Sequence, residues 1–170
     1  MTRYRIDPAR SRVWIEARSN VHPIHTEAGG LEGWLELDAS DGKLNLDSAP
    51  SGHLEFPVEN LKSGKSLEDR ELRRRIDARK FPTITGDLKA MKQRDDQAAL
   101  VVNGDLTFRG VTKSYEDEMT FENLAGQAVK LTGESTFDIR DFGMDPPRML
   151  MLKVQPDVTV RVEIVAEKES

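Results

Sequence analysis

The chain has no cysteine among its 170 residues. Disulfides, thiol nucleophiles and zinc–thiolate sites are therefore excluded. No apolar run approaches the ~20 residues that a membrane-spanning helix needs. The opening "MTRYRIDPARSRVW" lacks the apolar stretch of a secretory signal, so a soluble cytoplasmic protein is the expectation. Aromatic residues are only 6% of the chain, and no basic stretch interleaves them for base stacking. With a net charge of −5, nucleic acid is not an expected partner, and the chain as a whole has no general attraction for an anionic membrane. The spacings GxSxG, GxGxxG, GxxxxGK(S/T) and HExxH are missing, so neither an enzyme nor a bound cofactor is indicated.

Period-two alternation fills much of what remains. In "DVTVRVEIVA", Val158, Val160, Val162, Ile164 and Ala166 share one face, while Asp157, Thr159, Arg161 and Glu163 share the other. "LVVNGDLTF" aligns Leu100, Val102, Gly104, Leu106 and Phe108, and "VKLTGESTFDI" aligns Val129, Leu131, Gly133, Ser135, Phe137 and Ile139. Shorter strands are expected over residues 4–7, 12–17, 31–38, 52–58, 83–92 and 111–121. The turns between them are "DPARS", "DASDG", "APSG", "KQRDDQ", "FRGV" and "NLAGQ". This pattern predicts an all-β fold over residues 1–170, a single domain of eight or nine antiparallel strands. So many strands remove their edges by closing into a barrel or stacking as a sandwich.

One helix interrupts the strands. "SLEDRELRRRID" offers Ser66 as N-cap and Asp69 in the capping-box position. Acids fall in its first turn and arginines in its last, which suits the helix dipole. Asp69–Arg73 and Glu71–Arg75 are spaced four apart. Leu67, Leu72 and Ile76 form a narrow apolar stripe, placing the helix against one opening or side of the sheet.

Four glycines fall in phase with apolar residues: Gly33, Gly86, Gly104 and Gly133. Strand glycines let a barrel bend as it closes, and they also leave side-chain volume empty. An eight-stranded barrel is just wide enough inside to be filled or to hold one small ligand. The expectation is an apolar cavity.

Several segments, in order, resemble the YceI-like family: "YRIDPARSRVWIEARS" as its first hairpin, "GGLEGWLELD" as its second strand, and "SLEDRELRRRIDARKFPTITG" as its helix followed by phenylalanine–proline and a strand. "VNGDLTFRGVTKSYE" is similar to its most recognisable hairpin and "STFDIRDFGM" to a late strand and turn. The resemblance implies a lipocalin-like antiparallel β-barrel with one short helix inserted. It implies binding of a long amphiphilic lipid, a polyisoprenoid or isoprenoid quinone, in the interior. Homodimers are common in that family, and the resemblance implies no established catalytic activity. Two segments depart from the family pattern: "NVHPIHTEAGG", with a proline between histidines, and the proline- and methionine-rich "DFGMDPPRMLMLKV".

On this reading the ligand meets the inward faces: Val13, Ile15, Leu35, Val102, Leu106, Phe108, Leu131, Phe137, Val160 and Val162, with Gly104 and Gly133 giving room. His22, His25, Met149 and Met151 are expected at the pore mouth. Alternatives stay open. His22 and His25, with His53 as a third ligand, would suit a metal-binding protein or metal-dependent enzyme. They would equally suit hydrogen bonding in a loop, or a ligand's polar head. Arg70, Arg73, Arg74, Arg75 and Arg79 would meet an anionic surface or form a solvated, internally paired face. Met144, Met149 and Met151 suit a flexible gate or ordinary packing. Trp14 and Trp34 lie out of phase with the apolar residues, under the helix, in a dimer contact or on the outside.

Overall fold

The structure, a computed structural model, describes residues 1–40, 43–94, 99–125, 127–149 and 151–170. Its elements in chain order are β1 (Thr2–Ile6), β2 (Arg12–Ser19), β3 (Ile24–Ala28), β4 (Glu32–Ser40), β5 (Lys43–Asn45) and β6 (Ser51–Pro57). Helix α1 (Ser66–Ile76) is followed by β7 (Thr83–Gln93), β8 (Ala99–Phe108), β9 (Val111–Leu124), β10 (Ala128–Asp138), β11 (Arg148–Met149) and β12 (Leu152–Lys168). Eight strands close in the order β1, β4, β6, β7, β8, β9, β10, β12, and β12 returns to β1. Every ladder is antiparallel. The closed antiparallel barrel with one short helix is the fold that the alternation and the resemblance predict.

Closure follows from the period of the side chains. Val162 sits between Gly133 of β10 and Val13 of β2, and Val160 between Ser135 and Ile15. Residues in register across a ladder share a face, so one apolar row per strand becomes one apolar lining. The β8–β9 hairpin turns on Arg109 (φ 55°) and Gly110 (φ 74°), two positive angles whose twist matches that of the flanking strands. Within β12, Pro156 cannot donate to a ladder, and the β12–β2 register shifts between Val154 and Val158.

The N-terminal segment differs from the expected first hairpin. β1 and β2 do not pair with each other. They run in the same direction along β12, with Ile6 opposite Ala166 and Arg12 opposite Glu163. Residues 7–11 bulge outward between them, because "DPARS" is spent as a detour rather than a reversal. β2 therefore carries the wall onward where β1 stops. The second difference is β3. "HPIH" is only partly a loop: the turn ends at Pro23 and Ile24–Ala28 pairs with β2, Thr26 opposite Ile15. Glu27 then exchanges two 2.9 Å backbone bonds with Lys62, tying β3 to the approach of the helix.

Helix α1 starts differently from its sequence reading. Lys65 is the N-cap and makes no side-chain cap bond; Ser66 is already helical. Asp69 instead reaches back to Ser63, accepting from its N–H at 2.8 Å and its hydroxyl at 2.7 Å. The Glu71–Arg75 pair forms at 2.8 Å, and Glu71 also takes Arg74 at 2.9 Å. Leu72 and Ile76 pack on the core, but Leu67 is exposed. The tryptophans lie on the outer wall, each beneath an arginine: Arg161 over Trp14 and Arg3 over Trp34, both 4.4 Å from the ring centre.

The interior is uneven. Toward β1 and the end of β12 it is filled by Tyr4, Ile6, Leu35, Leu37, Met91, Leu100, Val129, Leu131, Ile164 and Ala166, all buried. The other half is not filled. Among the described residues, no helix is long and apolar enough to cross a membrane.

Candidate functional site

The unfilled half encloses a cavity of about 310 Å³. Its wall is built from β2, β3, β6, β7, β8, β10 and β12, helix α1, and the segment 139–147. Of the inward residues expected from sequence, Val13, Ile15, Leu106, Phe108, Phe137, Val160 and Val162 line this cavity. Leu35 and Leu131 belong to the packed half, buried to 5% and 2% exposure. Val102, Gly104 and Gly133 are not among the lining residues either.

The glycines separate into distinct roles once their neighbours are known. A Cβ on Gly133 would stand 2.9 Å from Met119 Cγ, so Met119 of the adjacent strand already occupies that space. On Gly104 it would lie 2.9 Å from the Asp87 carbonyl oxygen, a close backbone approach where β7 and β8 coil together. Gly33 has φ +143°, and a Cβ there would fall 1.8 Å from the His53 carbonyl oxygen. Only at Gly86, of the four, is the nearest atom as far as 4.0 Å, and Gly86 lines the cavity. Of the four, Gly86 rather than Gly104 or Gly133 gives room on the cavity wall.

Alternation along β7 marks Ile84 and Gly86 as inward, and both line the cavity. From β3, Ile24 and Thr26 do so as well. Sequence reasoning missed them, although Ile24, Thr26 and Ala28 alternate with the exposed His25 and Glu27. The polar part of the wall is small: Thr26, Ser63, Thr85 and three acids of α1, Glu68, Asp69 and Glu71. Each acid is already held, Glu68 near Lys65, Asp69 by Ser63, and Glu71 by two arginines. Hydrogen bonds from Arg74 and Arg75 keep the Glu71 carboxyl below its ordinary range.

The roof is stitched by Arg109 in the β8–β9 turn. Its guanidinium donates to the Arg75 carbonyl at 3.2 Å and the Gly143 carbonyl at 2.5 Å, joining the helix end to the 139–143 turn. Beneath that turn an aromatic cluster closes one side. Phe142 stands edge-on to Phe108 at 5.5 Å, and Tyr115 stands edge-on to Phe137 at 4.6 Å. The Tyr115 hydroxyl is buried and has no hydrogen-bond partner among the described residues, and its pKa is pushed upward by burial first and then by Asp141, Asp117 and Asp138. Met144 is buried and lines the cavity. Met151 is exposed instead of covering it, and Met149 is placed only by its backbone pairing with Leu152.

The histidines are dispersed. His22 sits in the β2–β3 turn, with Nδ1 2.9 Å from the Pro23 carbonyl oxygen. Ser19 organises that turn, accepting from the N–H groups of Val21 and His22 and donating to the His22 carbonyl. His25 is exposed on the face of β3 away from the cavity. His53 lies on β6, 2.7 Å from Asp87. Among the described residues, no three His, Asp or Glu side chains are grouped to hold a metal ion. His22 in the β2–β3 turn, His25 on β3 and His53 on β6 are not brought into one such group.

The sequence profile of the YceI-like domain matches residues 4–166. No curated protein matches the chain in sequence. The fold is similar to the crystal structure of BcnA from Burkholderia cenocepacia, with a TM-score of 0.78 at 16% identity over 94% of this chain and 98% of that one. It is similar to a polyisoprenoid binding domain from Saccharophagus degradans implicated in plant cell wall breakdown, with a TM-score of 0.77 at 11% identity over 99% and 100% of the two chains. The Campylobacter jejuni YceI protein gives 0.67 at 14% identity over 85% and 84%. At these identities the likeness concerns the fold.

Proposed function

Because the chain belongs to the YceI-like family, we propose that it binds one long apolar or amphiphilic lipid, of the polyisoprenoid or isoprenoid-quinone class, in the barrel cavity. The observation that carries this reading is the wall itself: strand rows of valine, isoleucine, leucine and phenylalanine around a void, with the three acids of its lining, Glu68, Asp69 and Glu71, already partnered. Such a surface gains nothing from a small polar ligand. It gains about 0.8 kcal/mol for each methylene it removes from water, before the cost of ordering the chain. The Saccharophagus degradans neighbour, a polyisoprenoid binding domain, supports the same ligand class here.

The volume sets a limit on how the ligand sits. About 310 Å³ falls at the low end of the roughly 300–1,000 Å³ of small-molecule pockets. A long isoprenoid exceeds that, so one segment of it occupies the cavity and the remainder leads out through the mouth. The role is that of a non-catalytic carrier, and the family resemblance favours a homodimer, which light scattering on the purified protein checks.

Extraction of the gently purified protein into organic solvent, followed by mass spectrometry, tests the reading. One isoprenoid lipid per chain supports it. A barrel that yields no lipid and takes up none on titration contradicts it.

A further inference from the structure

Two exposed apolar side chains stand at the tips of neighbouring turns. Val21, in the β2–β3 turn, is 66% exposed, and Met151, in the β11–β12 turn, is 86% exposed. Asn20 fastens the two turns together. Its side-chain amide donates to the Met151 carbonyl at 3.0 Å, its side-chain oxygen accepts from the Lys153 N–H at 2.7 Å, and its own N–H donates to the Lys153 carbonyl at 3.1 Å. Directly behind these tips, Ile24, Pro147, Leu152 and Val154 line the cavity. The paired turns therefore form part of the cavity's rim.

Charge is distributed unevenly over this rim. The chain carries −5 overall, yet residues 17–25 and 146–154 contain no carboxylate. They contain Arg18, Arg148 and Lys153, all exposed and, among the described residues, in no ion pair. The nearest acids along the chain, Glu16 and Asp145, flank the two segments. Across the cavity, the acids of α1 are bound to Lys65, Ser63, Arg74 and Arg75. Apolar tips surrounded by cations are two separate signals that add at an anionic bilayer, where either alone gives only marginal binding.

We propose that these two turns dock the protein on an anionic phospholipid surface, with Val21 and Met151 entering the interface and Arg18, Arg148 and Lys153 meeting the phosphates. For its purpose this rests on the carrier reading: docking sets the cavity mouth against the membrane from which a lipid chain is drawn. The local charge overrides the net charge because screening confines each interaction to roughly 10 Å.

Co-sedimentation of the full chain with vesicles tests the proposal. Vesicles of phosphatidylcholine containing phosphatidylglycerol are expected to carry the protein down, those of phosphatidylcholine alone are not, and added salt is expected to release it. Each cation near the surface contributes about a fivefold effect. The triple variant Arg18→Gln/Arg148→Gln/Lys153→Gln is therefore expected to bind about a hundredfold more weakly, and Val21→Asp severalfold more weakly. All four positions are exposed, and unchanged thermal unfolding confirms that both variants fold. Uptake of a polyisoprenoid from detergent micelles is expected to be unchanged in both. Wild-type protein that ignores the anionic vesicles, or binding that survives in both variants, overturns docking. Failure of the wild type to take up micellar polyisoprenoid overturns the carrier reading and leaves the vesicle result standing.

Discussion

Ser11 substitutes for a missing rung beside Val165. Its hydroxyl accepts from the Val165 N–H at 3.0 Å and donates to the Val165 carbonyl at 3.2 Å, with Ser11 fully buried. The bulge of residues 7–11 leaves the β1/β2 side of β12 without a strand partner at that point, and one side chain completes the hydrogen bonding. The wall stays closed where β1 gives way to β2.

Ser11→Ala removes this substitute and strands a buried N–H. The expected loss is about 1–3 kcal/mol in chemical denaturation. The Val165 carbonyl keeps its 2.8 Å bond from Asp7 N–H, so the loss comes chiefly from the donor. A variant within experimental error of wild type would show that water replaces the hydroxyl.

Gly33→Ala is expected to destabilise the barrel more than any other alanine substitution of a strand glycine. The Cβ would collide with the His53 carbonyl, and φ +143° is a region that L side chains rarely adopt. Gly86→Ala, with its nearest neighbour at 4.0 Å, serves as the control and is expected to melt near the wild-type temperature. Equal melting of the two variants would contradict the close approach of β4 and β6.

Glu71 gives the helix a defined acid response. The unfolded carboxyl titrates near 4.5, and the folded one is depressed by hydrogen bonds from Arg74 and Arg75. Between those values the unfolded chain holds more protons, so stability present above pH 4.5 is lost as pH falls through the folded pKa. Two helix-face pairs are worth about 0.5–1 kcal/mol together. In Glu71→Gln that component of the pH dependence of unfolding is expected to vanish. An identical acid profile in wild type and variant would show that the pairs carry no net stability.

The barrel was legible in the sequence because alternation is a local property. Val158, Val160 and Val162 announce an inward row whatever lies next to them, and the structure puts all three on the cavity wall. The void was less legible because emptiness is a property of neighbours. Gly133 has the same in-phase signature as Gly86, but register sets Met119 against its open position, while at Gly86 the partners Leu54 and Leu106 leave the nearest atom 4.0 Å away. The first turn was misread for a related reason. "DPARS" has the chemistry of a reversal, and only the pairing of both flanks with β12 reveals a detour. Strand β3 escaped notice because Pro23 and two histidines mask a short alternation of Ile24, Thr26 and Ala28. The paired acids of α1 at the cavity edge could not be found from sequence, since the narrow Leu72–Ile76 stripe does not say which opening the helix covers.

Lipid titration of wild type against Gly86→Leu tests the central claim most directly. The added side chain enters open space on the cavity wall, so folding is expected to be retained while polyisoprenoid affinity falls tenfold or more. Equal affinity in two folded proteins would mean that the ligand lies elsewhere, and the account of a lipid-holding barrel would be wrong.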